Sequence, residues 1–300
     1  MLEYFLTKHY FCIMFLDTTY KTTNIRGKLI DFSRPKVMGI LNLTPDSFYR
    51  ESRKQTEKEI VERIRQIQDE GGDIIDIGAY SSRPSAVFVD EKEEWERIEF
   101  GLKILKREAS HAMVSIDTFR SGVARRSVEE YGVAIINDIS AGELDEKMFD
   151  TVVDLQVPYL MMHMRGTPQT MMEFTSYESL MQDIILYFAQ KVTDLHQRGL
   201  NDIWLDPGFG FSKTTDQNYT VLDKLEEFHI FELPLLVGFS RKTMIREVLN
   251  TTPEESLNGT TALNMYALTK GADILRVHDV KEAVQAVQLY NKIKTQTNDF

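Results

Sequence analysis

Eight short apolar runs, each closing on a polar turn and each followed by a longer amphipathic stretch, constrain this chain more than any other feature. The runs are Val37–Leu41, Ile74–Ile77, Val114–Ile116, Ala134–Ile136, Tyr159–Met162, Ile203–Leu205, Leu235–Val237 and Ile274–Val277. They are rich in Ile, Val and Leu and lack apolar–polar alternation, as strands buried on both faces of a parallel sheet should. Helical spacing occupies Thr56–Glu70, Asp90–Lys106, Ser121–Tyr131, Lys147–Leu155, Tyr177–Arg198, part of Thr215–Phe228, Asn258–Thr269 and Val280–Lys294. Gly71, Gly132, Gly199 and Gly271 stand where a helix C-terminus takes a left-handed residue. Eight strand–helix units predict an α/β fold, a (β/α)8 TIM barrel with its active site at the C-terminal rim of the strands. An open doubly wound sheet uses the same alternation. The count of eight, and no glycine-rich phosphate fingerprint after the first strand, favour the barrel.

Composition narrows the partners. The 300 residues carry 35 Lys and Arg against 46 Asp and Glu, a formal net charge of −11. That balance argues against nucleic-acid and anionic-membrane partners but leaves room for a small anion at a local basic cluster. Cys12 is the single cysteine, so neither an internal disulfide nor a cysteine-based zinc site is available, and a cytoplasmic location is expected. Residues 1–30 read as an N-terminal extension and 31–300 as one barrel domain. Within the extension, "YFLTKHYFCIMFL" (Tyr4–Leu16) is broken by Lys8 and His9. It is too short to span a membrane and lacks a signal peptide's basic start and cleavage site. Translation starting at Met14, or a loosely docked arm, is the expectation.

In a barrel the strand endings converge on one rim. They are Asn42; Gly78 with "AYSSRPS"; Asp117; Asn137-Asp138; His163; Asp206 with "PGFGF"; Ser240-Arg241-Lys242; and Arg276 with His278. Asp117 reads equally as a helix cap. One of Asn137 and Asp138 is expected to satisfy local backbone. "LDPGFGF" fixes a tight turn beside a carboxylate, with aromatics able to cover a flat ligand. "GFSRKTM" places cations and hydroxyls at a helix start, where anions bind. Arg276 and His278 lie two apart, on one face of a strand, and together suit an oxyanion. "EKEEWERIE" reads as a solvated helix face, and of the paired methionines only Met162 stands at a strand end. The ring thus sets carboxylates and amides, which suit a planar heterocycle with paired N–H donors, against cations that suit a diphosphate. A transferase displacing a phosphorylated leaving group fits both.

"MGILNLTPDSF", "GGDIIDIGAYSSRP", "VSIDTFRSGVA", "IINDISAG", "LMMHMRGTPQTM", "LDPGFGFSKT", "LLVGFSRKTMI", "NGTTALNMYAL" and "GADILRVHDV" follow one another in order from about Lys36 to Lys294. With these motifs the chain strongly resembles the dihydropteroate synthase family. The resemblance implies a folate-pathway enzyme that condenses dihydropterin-6-ylmethyl diphosphate with p-aminobenzoate and releases diphosphate. It implies that Asn137 and Asp206 hold the pterin edge, with Lys242 against its polar ring atoms and Met162 and Phe211 on its faces. Asp117 would stabilise the positive charge that develops on the ring system. Asn42, Arg276 and His278 would engage the diphosphate, Asn42 beside a Mg2+ ion. Ser82, Arg83 and Pro84 would belong to a second rim loop, and Thr243 would meet the benzoate carboxylate. A homodimer is implied too.

Two loops depart from the family pattern. Tyr49-Arg50-Glu51-Ser52 stands where Ser-Asp-Gly-Gly is common, and Ala79–Ser85 replaces Gly-Glu-Ser-Thr-Arg-Pro-Gly. A pterin-dependent methyltransferase acting on methyltetrahydrofolate, or a catalytically silent pterin-binding protein, would share the pocket. Neither would release diphosphate.

Overall fold

The computed structural model of the chain describes residues 21–43, 53–80 and 89–297. The expected start at Met14, the arm Tyr4–Leu16, the first rim loop after Leu43 and the loop bearing Ser82, Arg83 and Pro84 lie outside these residues. The chain enters through a hairpin of β1 (Thr22–Ile25) and β2 (Lys28–Asp31). Eight parallel strands follow: β3 (Lys36–Asn42), β4 (Ile74–Gly78), β5 (Met113–Asp117), β6 (Ile135–Asp138), β7 (Tyr159–Met162), β8 (Ile203–Asp206), β9 (Leu236–Val237) and β10 (Ile274–Val277). Their order is β8-β7-β6-β5-β4-β3-β10-β9, so β3 pairs with β10 and only β8 and β9 remain to be joined. A parallel bridge between Leu205 and Leu235 joins them, and the Leu205 N–H donates to the Pro234 carbonyl at 2.9 Å. The sheet is a closed (β/α)8 barrel.

Among the described residues the outer ring is α1 (Arg53–Asp69), α2 (Glu91–Glu108), α3 (Ser121–Tyr131), α4 (Met148–Leu155), α5 (Leu180–Gln197), α6 (Thr215–Asp223), α7 (Thr243–Leu249), α8 (Leu257–Thr269) and α9 (Val280–Thr297). The Asp90 side chain caps α2 by accepting the Glu93 N–H at 2.8 Å, and Thr214 with Gln217 forms a capping box at α6. Gly71, Gly132, Gly199 and Gly271 all take positive φ, as the sequence predicts. Within Thr215–Phe228, expected to be helical in part, the α-helix runs to Asp223 and a 3-10 turn follows at Leu225–Phe231.

Side chains along each strand alternate between two cores. Val37, Ile75, Ile77, Ile136, Met161, Leu205 and Leu275 join the packing between sheet and helices. Met38, Ile74, Ile135, Leu160, Trp204, Leu236 and Ile274 fill the barrel's lower interior. Two residues further along, the period of a strand returns the chain to the same inner face at Asp76, Asn137, Met162, Asp206 and Arg276. The apolar floor and the polar rim are therefore successive layers of one interior.

The hairpin is the unforeseen element, built, all but Asp31, from residues expected to belong to the extension. Its signal is the pair Arg26-Gly27, both in the left-handed region at φ 53° and 80°, which is the two-residue turn that right-twisted hairpins favour. It supplies Ile25 to the floor, and Phe32 just beyond it meets Trp204 edge-on at 5.5 Å. Asp202 fastens it, accepting from the Thr23 hydroxyl at 2.9 Å and the Asn24 N–H at 2.6 Å. Phe32→Ala removes the ring that seals the barrel floor and should cost about 3 kcal/mol of unfolding free energy in urea titration. A loss below about 1 kcal/mol would show that the floor is closed without it.

Candidate active site

At the centre of the polar layer, Arg276 on β10 is gripped by two carboxylates. Its Nε donates to Asp76 on β4 and its Nη2 to Asp117 at the end of β5, each at 2.7 Å. The Asn137 amide on β6 lies 3.3 Å from the same Asp76 oxygen. Asp76 has no exposed surface, so its charge is balanced from within the protein. Burial raises Asp117 to about 7 against the pull of Arg276, while Asp76 and Asp117 hold Arg276 above the usual guanidinium range. Asp117 is thus a partner of Arg276; the helix it might have capped, α3, begins without a side-chain cap from Arg120. The expectation that Asn137 or Asp138 would serve local backbone is met by Asp138. It accepts from the Ser140 N–H, the Gly142 N–H and the Tyr159 hydroxyl within 2.8 Å, which leaves Asn137 for the site.

Across the rim, Asp206 at the end of β8 begins the turn Asp206–Phe211. One carboxylate oxygen accepts the Gly208 N–H at 2.7 Å. Gly208 has φ +72°, and a Cβ there would sit 2.1 Å from the His163 carbonyl oxygen, so the turn admits only glycine. Burial raises the Asp206 pKa although Lys242 opposes it. Lys242 donates to the Phe209 carbonyl at 2.5 Å and lies 4.9 Å over the Phe211 ring; burial pulls it down to about 8. Phe211 and Met162 pack with Ile139, Met164 and Met171 in a small apolar cluster beside the polar groups. Under the turn, buried Lys213 reaches His163 Nδ1 at 2.9 Å and the Gly208 and Phe211 carbonyls at 3.1 and 3.2 Å.

The third part of the rim is a cleft of about 410 Å³ lined by Asn42, Arg63, Arg241 and His278 among others. Burial lowers His278 to about 4, so its ring is neutral near pH 7. Arg241 takes φ +61°, which costs a non-glycine residue about 1 kcal/mol or more. Its Nη2 is tied to Asp279 at 2.7 Å, while the residues on either side pair elsewhere, Ser240 with His278 and Lys242 with Phe209. Thr243, the first residue of α7, is exposed and its hydroxyl accepts from Arg246 at 2.7 Å.

The structure therefore brings Asn137, Asp117 and Arg276 into one hydrogen-bonded set, and gathers Asp206, Lys242, Met162 and Phe211 beside it. Asn42 and His278 share the cleft, and Thr243 adjoins Lys242. Sequence reasoning missed Asp76, Arg63 and Lys213. Asp76 left a signal, an acid in the middle of the apolar run "IIDIG"; a parallel strand buries such a residue only for a purpose. Nothing in sequence marks Lys213 as buried.

A model of the family described as pterin binding enzyme matches residues 38–278, which includes every strand of the barrel but the first two residues of β3. The dihydropteroate synthase of Escherichia coli strain K12 is 39% identical over 269 residues, covering 88% of this chain and 93% of that protein. The chain belongs to the dihydropteroate synthase family. Among solved structures, the Yersinia pestis dihydropteroate synthase in a sulfonamide drug complex superposes with a TM-score of 0.84 at 36% identity, covering 92% of this chain and 99% of that one. The Xanthomonas albilineans dihydropteroate synthase with 4-aminobenzoic acid gives 0.82 at 32% identity, with the same coverage.

For a dihydropteroate synthase, the raised Asp117 sets a pH limb. A carboxylate is charged only above its pKa, so Asp117 loses its charge, and its pair with Arg276, as the pH falls through about 7. The pH profile of kcat/KM should show an acidic limb near that value, and Asp117→Asn should lower turnover and remove the limb. A wild-type limb at about 4, the ordinary carboxylate range, would contradict this assignment.

Proposed function

We propose that this chain joins 7,8-dihydropterin-6-ylmethyl diphosphate to p-aminobenzoate, giving 7,8-dihydropteroate and diphosphate. The observation that carries the reading is the buried Asp206 carboxylate, held by one backbone N–H, in the field of Lys242, and on the same inner layer as Asn137 and Met162. An acceptor-only group in a dry pocket suits a ligand edge with two adjacent N–H donors, such as the pterin's amino and ring nitrogens. Phe211 and Met162 give that flat ring its apolar walls, and Lys242 faces its ring acceptors.

The reaction breaks the methylene carbon–oxygen bond, whose electron pair leaves with diphosphate. The aniline nitrogen then forms the new carbon–nitrogen bond and sheds a proton. Asp117 at the rim and Asp206 across it place carboxylates where they stabilise a cationic pterin methylene as the bond lengthens. Arg276 holds Asp117 at a fixed position, and the carboxylate needs no reorientation when charge develops. His278, Arg276 and Asn42 face the departing diphosphate. Thr243, with Ser82, Arg83 and Pro84 of the loop outside the described residues, meets the benzoate.

Asn42 offers one neutral oxygen at the exposed end of β3, and among the described residues no three His, Cys, Asp or Glu side chains cluster closely enough to cage a metal. A neutral oxygen of that kind would suit a Mg2+ ion, and Asn42 is the described residue that would hold it. When bound, Mg2+ neutralises leaving-group charge. The chain acts as a homodimer in the cytoplasm. Val248 and Leu249 on α7, Tyr266 on α8 and Leu289 on α9 expose apolar surface on neighbouring helices, which a second copy would cover. Among the described residues no helix is long and apolar enough to cross a membrane.

Chromatography of a mixture with both substrates should show dihydropteroate and diphosphate in equal amounts; pterin binding without diphosphate release would identify a binding protein instead. Asp206→Asn aims an amide donor at the pterin's donors and should weaken pterin binding by roughly 3 kcal/mol with the fold intact. Near-normal affinity by calorimetry would remove Asp206 from the pterin site.

A further inference from the structure

His278 is fixed at three points. Its backbone N–H donates to Ser240 Oγ at 3.2 Å, its carbonyl accepts from Arg63 Nη2 at 2.6 Å, and its ring Nδ1 lies 2.9 Å from the same Ser240 oxygen. Arg63 also donates to the Ile40 carbonyl at 3.0 Å, so one guanidinium from α1 ties the end of β10 to β3, the strand that ends in Asn42.

The two contacts at Ser240 determine the proton on the ring. A hydroxyl has one proton to give and two lone pairs. Ser240 Oγ already accepts the His278 backbone N–H. If Nδ1 carried the ring proton, Oγ would receive two donors and its own proton would need another acceptor. Ser240 is 7% exposed, and no other acceptor pairs with its hydroxyl among the described residues. The hydroxyl proton therefore goes to Nδ1, and a neutral ring must carry its own proton on Nε2. Nε2 has no hydrogen-bond partner among the described residues, and His278 lines the cleft with Asn42 and Arg241.

We propose that Ser240 is a positioning residue that locks His278 in the Nε2–H tautomer and thereby presents a neutral hydrogen-bond donor to an anionic oxygen in the cleft. The proposal deepens the reading of His278 as a diphosphate contact and rests on it for the identity of the anion. The ring is a directed dipole and not a cation, and it needs no proton from solvent to bind. The cations lining the cleft, Arg63 and Arg241, share it with the carboxylates Glu59 and Asp279, and their side chains are tied to protein oxygens. A donor with no protein acceptor is what that cleft adds to a bound anion. The left-handed Arg241 maintains the arrangement by turning Ser240 toward His278 and Lys242 toward Phe209.

The test is nitrogen-15 NMR of the full chain labelled at histidine, with His278→Gln used to assign the ring signals. The wild type should show His278 with Nδ1 unprotonated and accepting a hydrogen bond, and Nε2 protonated. Ser240→Ala should give a mixture of tautomers, and Ser240→Thr should restore the wild-type pattern. A protonated Nδ1 in the wild type, or an unchanged pattern in Ser240→Ala, overturns the proposal. Calorimetry with inorganic diphosphate, with and without Mg2+, then reads the consequence. Ser240→Ala should bind it up to about tenfold more weakly, the scale of one neutral hydrogen bond, with pterin affinity unchanged. Equal weakening of both ligands would mark Ser240 as a structural residue and overturn the positioning role. Normal diphosphate affinity in His278→Gln would overturn the reading of His278 as an anion contact, while the tautomer signals judge Ser240 separately.

Discussion

The interior of this barrel depends on Arg276 being shared by Asp76 and Asp117. Asp76 is fully buried between strands, and an unpaired carboxylate there would cost several kcal/mol. Arg276 answers that charge and carries the connection on to Asp117 at the rim, joining β4, β5 and β10 across the barrel mouth. A core built this way is not chosen for stability, since apolar packing would serve as well. It is a means of holding a carboxylate at a fixed point in a low-dielectric pocket, where its charge acts most strongly on a ligand.

The layers below explain why the group can be held so rigidly. Strands with a period of two deliver one inner residue per layer. The apolar floor of Met38, Ile74, Ile135, Leu160, Trp204, Leu236 and Ile274, closed by the hairpin and Phe32, fixes the strands that bear the polar layer above. One left-handed residue near the site is placed where it serves both halves. Arg241, left-handed and tied to Asp279, lets consecutive residues feed different subsites: Ser240 reaches His278 and Lys242 reaches Phe209 and Phe211.

Much of this was legible in the sequence because the rules involved are local. The eight apolar runs fall on the eight barrel strands, with Tyr159–Met162 and Ile274–Val277 matching to the residue, because strands buried on both faces have a distinctive composition. The polar endings marked the rim, and the glycines marked helix ends by their conformation. What escaped depends on contacts distant in sequence. Asp76 and Arg276 are 200 residues apart, so their pairing has no local signature, although an acid inside "IIDIG" is itself a clue. Arg63 sits on a helix among other charges, and only the fold turns it toward the His278 carbonyl 215 residues away. Lys213 becomes buried because the turn that precedes it folds over its side chain. The hairpin was passed over because its four-residue strands are short and its turn uses Arg-Gly, where Asn-Gly is the stronger signal.

The central claim is electrostatic: carboxylates held at fixed points stabilise a pterin methylene that becomes cationic before the aniline attacks. Deuterium at the methylene reports that charge directly, because its bending modes loosen as the carbon becomes trigonal. Competition between the deuterated and ordinary pterin diphosphate should show a clear normal secondary isotope effect on kcat/KM, little changed across anilines of different nucleophilicity. An effect near unity that varies with the aniline would mean that attack and departure are concerted, and the account of the fixed carboxylates would be wrong.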